Sequence, residues 1–442
     1  MGFDRAFHAA ATFASPPKLD DFRKHIDPAW VDEALAATGT ATVRRRRLPS
    51  EQVIWVVLGM GMFRDRPIED VVSKLDLALP GAGGTIARSS LSQARDRVGS
   101  EPIRWLFERS ATVWSTQSAA AHCWRGLKLY GIDGSTVRVP DTPENRKAFG
   151  GQSGRAGTES GYPMVRLVAL MVLRSHVLAG CSIGGYGANE TQYAWSLLDA
   201  IPAQSLTVLD RGFFGARFLL GIQATEERHW LTRARSDLSF QVIKKFARGD
   251  QLIELAVSAH SRKQDASLPK TWQMRAVRYK RKGFPEQLLL TSLTDAKRYP
   301  AEEIIELYHE RWELELGYDE IKTELLDREE TIRSRKPDGV RQELWGILLA
   351  YNLVRLEMAR IAEDADVEPT RISFVEALRL IRDEWEWLSV TSPGAIPKRL
   401  ETMRRSVKRY VLPPRRARSF PRTVKIKMSN YERKRPLAER LK

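Results

Sequence analysis

Residues 1–40 are weakly patterned, and from there to about residue 120 apolar positions recur at helical spacing. Residues 28–37 read as a short helix, and residues 53–63 as a strongly apolar one that Ser50 can cap. Pro67, Ile68 and Glu69 start another, which ends near Leu79 and Pro80 ahead of a glycine loop over 81–84. Ser89 or Ser90 then caps a polar-basic helix over 91–98, and Gly99 stops it. Residues 101–118 read as one more helix. A short helix, a glycine turn and a short basic helix make a helix-turn-helix-like pattern. On that reading Arg88, Gln93, Arg95 and Arg97 face DNA; on the plainer one they cover an ordinary solvated face.

From Leu127 the period shortens toward two. Residues 127–133 alternate and end in Asp133-Gly134, which reads as a strand and a turn. Residues 166–174 and 176–183 read as apolar strands joined by a tight turn, and 189–200 as an amphipathic helix. A buried strand over 206–210, a helix over 214–222 and a strand over 229–232 follow. Three leading strands followed by alternating helices and strands predict an α/β fold, with a mixed sheet covered by helices. Residues 239–293 break the alternation: two strands flank the hairpin signal Arg248-Gly249-Asp250, and two more flank a basic turn over 280–283. This segment reads as an all-β insertion. Amphipathic helices over 340–362 and 372–387 come next, then a Pro- and Arg-rich stretch from Pro413.

The pattern over 301–326 is a single long helix, and its faces are informative. At about 100° per residue, Tyr308, Arg311, Glu315, Asp319 and Lys322 fall within an arc of about 80°. Leu307, Leu314, Tyr318, Ile321 and Leu325 flank that arc on one side; Ile305, Trp312 and Leu316 flank it on the other. Glu306, Glu310, Glu313, Glu320 and Glu324 lie opposite and read as the solvated face. The polar arc is then turned inward, where charges are costly unless paired or bound to a ligand. A buried salt-bridge cluster meets that condition, and so does a site for phosphate and metal.

Charge narrows the choice. The formal net charge is +16, from 71 Lys and Arg against 55 Asp and Glu. Residues 401–442 hold 15 basic and 3 acidic residues, and residues 234–299 hold 14 and 6, so the rest of the chain is net negative. Concentrated positive charge favours a polyanionic partner, because each neutralised phosphate releases counterions. Cys123 and Cys181 are the only cysteines, which excludes a disulfide framework and a multi-cysteine zinc site. The seven histidines have no metal-ligand spacing. No apolar run approaches the roughly 18 residues of a membrane span, and the N-terminus has no secretory pattern, which predicts a cytoplasmic protein.

Two further carboxylates stand at strand ends, Asp133 before Gly134 and Asp210 before Arg211-Gly212. Either alone is a common turn. Together with an inward helical Glu they have a chemical rationale. Carboxylate oxygens suit hard Mg²⁺, and two such ions can clamp the attacking and leaving oxygens of a phosphoryl displacement.

The spacing Tyr308-x2-Arg311-x3-Glu315-x6-Lys322, within YHERWELELGYDEIK, resembles the Y-R-E-K pattern of DDE transposases of the bacterial insertion-sequence-four family. IDGSTV around Asp133 resembles that family's first-Asp motif, and VLDRGFFG around Asp210 its second. RRRRLPSEQVIWVVLGMGMFRDRPIEDVV and PRTVKIKMSNYERKRP resemble its N-terminal region and its tail, so the likeness spans roughly residues 25–435.

The resemblance implies a ribonuclease-H-like core over 121–235 and 300–335, interrupted by a β-rich insertion over 236–299. It also implies a helical DNA-end-binding domain over 1–120, C-terminal helices over 336–400 and a basic tail over 401–442. Asp133, Asp210 and Glu315 would coordinate two Mg²⁺ ions, with Mn²⁺ able to substitute. Tyr308, Arg311, Lys322 and Arg233 would hold DNA phosphate. Terminal inverted repeats and target DNA would be the partners, bound by a homodimer. Asp319, outside the pattern, reads as a partner for Arg311 or Lys322. Gln287 departs from relatives that carry a base-stacking Trp before the LLLTS strand; Trp272 or Phe284 are candidates to stand in, or are packed core. A nuclease without strand transfer and a non-catalytic DNA-binding repressor are the competing functions. All of this requires three acids from distant stretches to meet within a few ångströms.

Overall fold

The computed structural model describes residues 26–41, 48–74, 87–152, 161–225, 227–235, 238–281, 285–326, 332–388 and 395–413. The Arg44–47 run, the glycine loop over 81–84, Phe284 and most of the basic tail lie outside them.

The N-terminal helices are α1 (Pro28–Ala37), α2 (Ser50–Met62), α3 (Ile68–Lys74), α4 (Arg88–Val98) and α5 (Glu101–Ala121). Ser50 does not cap α2: its hydroxyl donates to the Thr40 carbonyl at 2.8 Å, and Pro49 precedes the helix. Ser89 and Ser90 likewise lie inside the first turn of α4, behind Ala87, while Gly99 ends the helix at a φ of 69°.

The central part runs β1 (Lys128–Arg138), α6 (Pro143–Phe149), β2 (Met164–Val172), β3 (Leu178–Gly185), α7 (Glu190–Ala194), β4 (Ser205–Leu209), α8 (Ala216–Gln223) and β5 (Arg228–Arg233). It continues through β6 (Gln241–Ala247), β7 (Asp250–Ala256), α9 (Ala259–Gln264), β8 (Thr271–Tyr279) and β9 (Gln287–Thr291). The helices α10 (Ala301–His309), α11 (Trp312–Asp319), α12 (Pro337–Ala365), α13 (Phe374–Leu388) and α14 (Ile396–Val407) complete the chain.

Among the described residues the strands form one nine-stranded sheet in the order β3-β2-β1-β4-β5-β9-β8-β7-β6. β1 is parallel to β4 and β4 to β5; the other pairings are antiparallel. The architecture is thus α/β with a large mixed sheet, as expected. The insertion is neither separate nor all β: its strands extend the same sheet beyond β5, and α9 interrupts them. Asp133-Gly134 is not a turn. β1 runs on to Arg138, because Asp133 pairs with Ala169 and every residue to Arg138 finds a partner on β2.

Alternation along the central strands feeds two cores. Leu129, Leu167, Ala169 and Met171 pack with α2, α5, α11 and α12 on one face. Tyr130, Ile132, Val168 and Leu170 pack with α8, Trp230 and Trp272 on the other. The N-terminal helices and α12 share the first core. At their crossing a Cβ on Gly61 would lie 2.7 Å from the Gly346 carbonyl oxygen, so only glycine permits that approach.

The stretch read as one helix is broken. α10 stops at His309 and α11 restarts at Trp312, followed by a π-helical turn over Glu320–Leu325. The glutamate face is solvated only in part: Glu306 is exposed, but three of its glutamates are paired. Glu310 pairs with Arg174 at 2.8 Å, Glu313 with buried His176 at 2.9 Å, and Glu320 with His176 at 3.2 Å. Glu320 also accepts from the Tyr351 hydroxyl at 2.7 Å and faces Arg355 at 3.6 Å. Partners from distant elements cover that side, which periodicity alone does not register. Residues 401–413, assigned to the tail, belong largely to α14 and the turn after it.

Candidate active site

β1 carries Asp133, with apolar neighbours on both faces. α11 lies across this strand at close range. A Cβ on Gly131 would meet the Leu314 side chain at 2.8 Å, and one on Gly317 would meet Met171 at 2.4 Å. Tyr318 fixes the crossing: its buried hydroxyl donates to the Asp133 carbonyl at 2.7 Å and accepts from the Ala169 N–H at 3.0 Å. The helix thereby delivers Glu315 beside Asp133.

Asp133, Ser135, Glu315, Asp319 and Lys322 line one cleft of about 390 Å³. Burial pushes the Asp133 carboxyl up to about 6; the Gly134 N–H and Arg311 oppose the rise, and Glu190 and Asp210 add to it. Asp210, at the end of β4, accepts from the Gly212 N–H. Arg311 Nη2 donates to Glu315 Oε1 at 2.7 Å. Burial lifts the Tyr308 phenol above its ordinary value, Arg311 and Arg233 pull it down, and Asp210 raises it further. Tyr308 therefore sits among Arg311, Arg233 and Asp210.

Of the predicted set, Asp133, Glu315 and Lys322 share the cleft, and Asp210 acts on Asp133 from the end of β4. Among the described residues, no three His, Cys, Asp or Glu side chains close around a point that could hold a metal ion. Asp210 is turned to its own loop and Glu315 to Arg311. The donor chemistry nonetheless suits a hard divalent ion: Asp133 and Glu315 line one cleft, and the Asp210 and Glu190 carboxylates add to the burial that disfavours the charged form of Asp133.

Other expectations fared differently. Asp319 accepts from the Thr323 hydroxyl at 2.7 Å. Trp272 is packed core, its ring 5.6 Å from that of Trp230, and Gln287 accepts from the Tyr279 hydroxyl at 3.0 Å. Arg88, Gln93 and Arg97 are exposed on α4. Arg95 turns inward, donating to Gln342 Oε1 at 2.8 Å and to Ser334 Oγ at 3.0 Å, because α4 packs on the start of α12.

Two residues of the site were missed. Glu190 stands against Gly134 and pairs with Arg166 at 2.7 Å; the capping box from Asn189 marks its helix start but not its proximity to Asp133. Tyr318 reads as part of an apolar stripe, and nothing in the pattern distinguishes its hydroxyl.

Comparison with known proteins decides the class. The model described as Insertion element 4 transposase N-terminal matches residues 16–108, and that described as Transposase DDE domain matches residues 124–353. The chain belongs to the insertion-element-4 family of DDE transposases. It is 39% identical over 415 residues to the transposase InsG for insertion sequence element IS4 of Escherichia coli, covering 93% of each chain. It is 38% identical over 232 residues to InsZ of the same species, covering 52% of this chain and 76% of the relative. As a DDE transposase the chain is an enzyme of a family that generally uses divalent metal ions, and the family implies a ribonuclease-H-like fold. No helix among the described residues is long and apolar enough to cross a membrane.

Proposed function

We propose that this transposase binds the terminal inverted repeats of its element, cleaves DNA there, and joins the freed ends to target DNA. The observation that carries the reading is that Asp133, Glu315 and Lys322 line one cleft, with Asp210, Tyr308, Arg311 and Arg233 around it.

Asp133, Asp210 and Glu315 would hold two Mg²⁺ ions, or Mn²⁺ in their place. Such ions supply an activated water or 3′-hydroxyl and charge stabilisation at the leaving oxygen. The protein's own groups do the positioning. Arg311 presents a guanidinium to a phosphate oxygen, and an arriving phosphate competes with Glu315 for it, which releases the carboxylate toward the cleft. Tyr308, kept protonated by burial, donates its hydroxyl to phosphate. Lys322 and Arg233 neutralise the same strand. The exposed face of α4, with Arg88, Gln93 and Arg97, reads the end sequence. Two chains synapse two ends, in the cytoplasm at the nucleoid.

The test uses the full chain and linear DNA ending in the element's repeat. With Mg²⁺ it should yield both cleaved and joined products. Glu315→Gln should retain end binding and lose cleavage on the order of 10³-fold or more. Cleavage that persists in Glu315→Gln contradicts the assignment, and cleavage without joining leaves a nuclease.

A further inference from the structure

Tyr318 lies outside the Y-R-E-K spacing, three residues after Glu315. It is 6% exposed. Its hydroxyl donates to the Asp133 carbonyl at 2.7 Å and accepts from the Ala169 N–H at 3.0 Å. Asp133 and Ala169 are partners in the β1–β2 register, so one phenol touches both members of the strand pair that carries the first carboxylate. A buried phenol needs a hydrogen-bond partner, and any polar group in the core would serve. This one meets the main chain of the residue whose side chain lines the catalytic cleft. The carboxylate end of Asp133 is held as well, because its Oδ1 accepts from the Gly134 N–H at 2.8 Å.

α11 needs a local peg. It has eight residues, with a break before it and a π-helical turn after it, so no continuing α-helix sets its register from either end. Its apolar contacts at Gly131 and Gly317 bring it close to β1 and β2, but apolar packing is non-directional and resists a small slide weakly. The ion pairs of Glu313 and Glu320 reach His176 on the β2–β3 turn and Arg355 on α12. The Tyr318 hydrogen bond is directional, and it ties the helix to the peptide of Asp133 itself. Glu315 stands one helical rise of about 4.5 Å before that tie.

We propose that Tyr318 is a positioning residue: its hydroxyl sets the spacing between the Asp133 and Glu315 carboxylates, and with it which divalent ion the site prefers. The inference rests on the reading of Asp133 and Glu315 as metal ligands. Carboxylates held at a fixed spacing favour Mg²⁺, which demands near-ideal octahedral geometry, over Ca²⁺, which tolerates varied ligand numbers and longer distances. Carboxylates free to drift apart lose that preference.

The experiment uses the full chain on DNA that stops at the repeat terminus, and displaces bound Mn²⁺ with Mg²⁺ or with Ca²⁺, read by electron paramagnetic resonance. Tyr318→Phe should weaken Mg²⁺ on the order of tenfold and Ca²⁺ by less, so the ratio of the two affinities falls while DNA affinity stays at the wild-type value. A 4-aminophenylalanine in place of Tyr318, a ring of similar length with an N–H donor, should restore the ratio. A smaller folded fraction weakens both ions alike. An equal loss for both ions, or loss of the fold, therefore assigns the hydroxyl to stability alone and overturns the proposal. Wild-type affinities in Tyr318→Phe overturn it too, as does a ratio that the amino group leaves low. Asp133→Asn separates the two readings. If it binds both ions as wild type does, the metal centre fails and this inference with it; if it loses an ion while Tyr318→Phe keeps the wild-type ratio, this inference alone fails.

Discussion

The two sides of α11 carry the same residue types to opposite ends. On one side Glu313 and Glu320 meet His176, Tyr351 and Arg355 in a sealed network, where His176 has no exposed surface and Arg355 almost none. On the other, Arg311, Glu315 and Lys322 stand half-buried at an open cleft beside Asp133. The sealed side completes its charges internally and anchors the helix. The cleft side, which the proposed function turns to substrate, keeps Asp133 in surroundings that disfavour its charge. On the proposed reading the chemistry lies on the cleft face, one face away from the ion pairs that hold the helix.

The contrast should appear as a double dissociation. Glu320→Ala removes the acid that faces buried Arg355 and one of the two acids on His176, and should cost about 3–5 kcal/mol in chemical denaturation, taking activity with it. Glu315→Gln should shift the same transition by less than about 1 kcal/mol while ending cleavage, because its pair with Arg311 is partly solvated. Equal destabilisation by both would erase the distinction.

A smaller effect concerns how the helical layer is joined. Gly346→Ala places a Cβ 2.7 Å from Val57 and 2.8 Å from its carbonyl oxygen, so α2 and α12 must separate. A destabilisation of about 1–3 kcal/mol is expected by thermal or urea unfolding. An unchanged transition would mean that the crossing is looser than this spacing implies.

The sealed side should also carry an acid signature. Burial alone would raise Glu320, but Arg355, His176 and the Tyr351 hydroxyl outweigh it and hold the carboxyl at about 2, below its ordinary 4.5. A carboxyl depressed on folding contributes stability that is complete above pH 4.5 and is lost as pH falls toward about 2. Unfolding free energy of Glu320→Gln should therefore depend less on pH in that window than that of wild type. Parallel curves would remove Glu320 as the source.

Much of this was legible from local pattern. The bounds of α1 and the hairpin around Gly249, whose φ is 81°, follow from periodicity and turn chemistry. The Y-R-E-K spacing marked the cleft side of α11 because side chains three, four and seven apart share a helix face. What was missed depends on partners far away in the chain. Asp133-Gly134 has a turn signature, yet β2 supplies a full set of pairs and the strand continues. The glutamate stripe has the composition of a solvated face, yet His176 and Arg355 stand over it. No Pro or Gly marks the break at Glu310 and Arg311; both side chains there are held by ion pairs, to Arg174 and to Glu315.

The central claim is that Asp133, Asp210 and Glu315 act together on divalent metal once DNA is in place. Titration of Mn²⁺ into the full chain with end DNA, followed by electron paramagnetic resonance of the free ion, tests it most directly. Wild type should take up about two ions, and Asp133→Asn, Asp210→Asn and Glu315→Gln should each lose at least one while still holding the DNA. If all three variants bind Mn²⁺ as wild type does, these carboxylates do not form the metal centre.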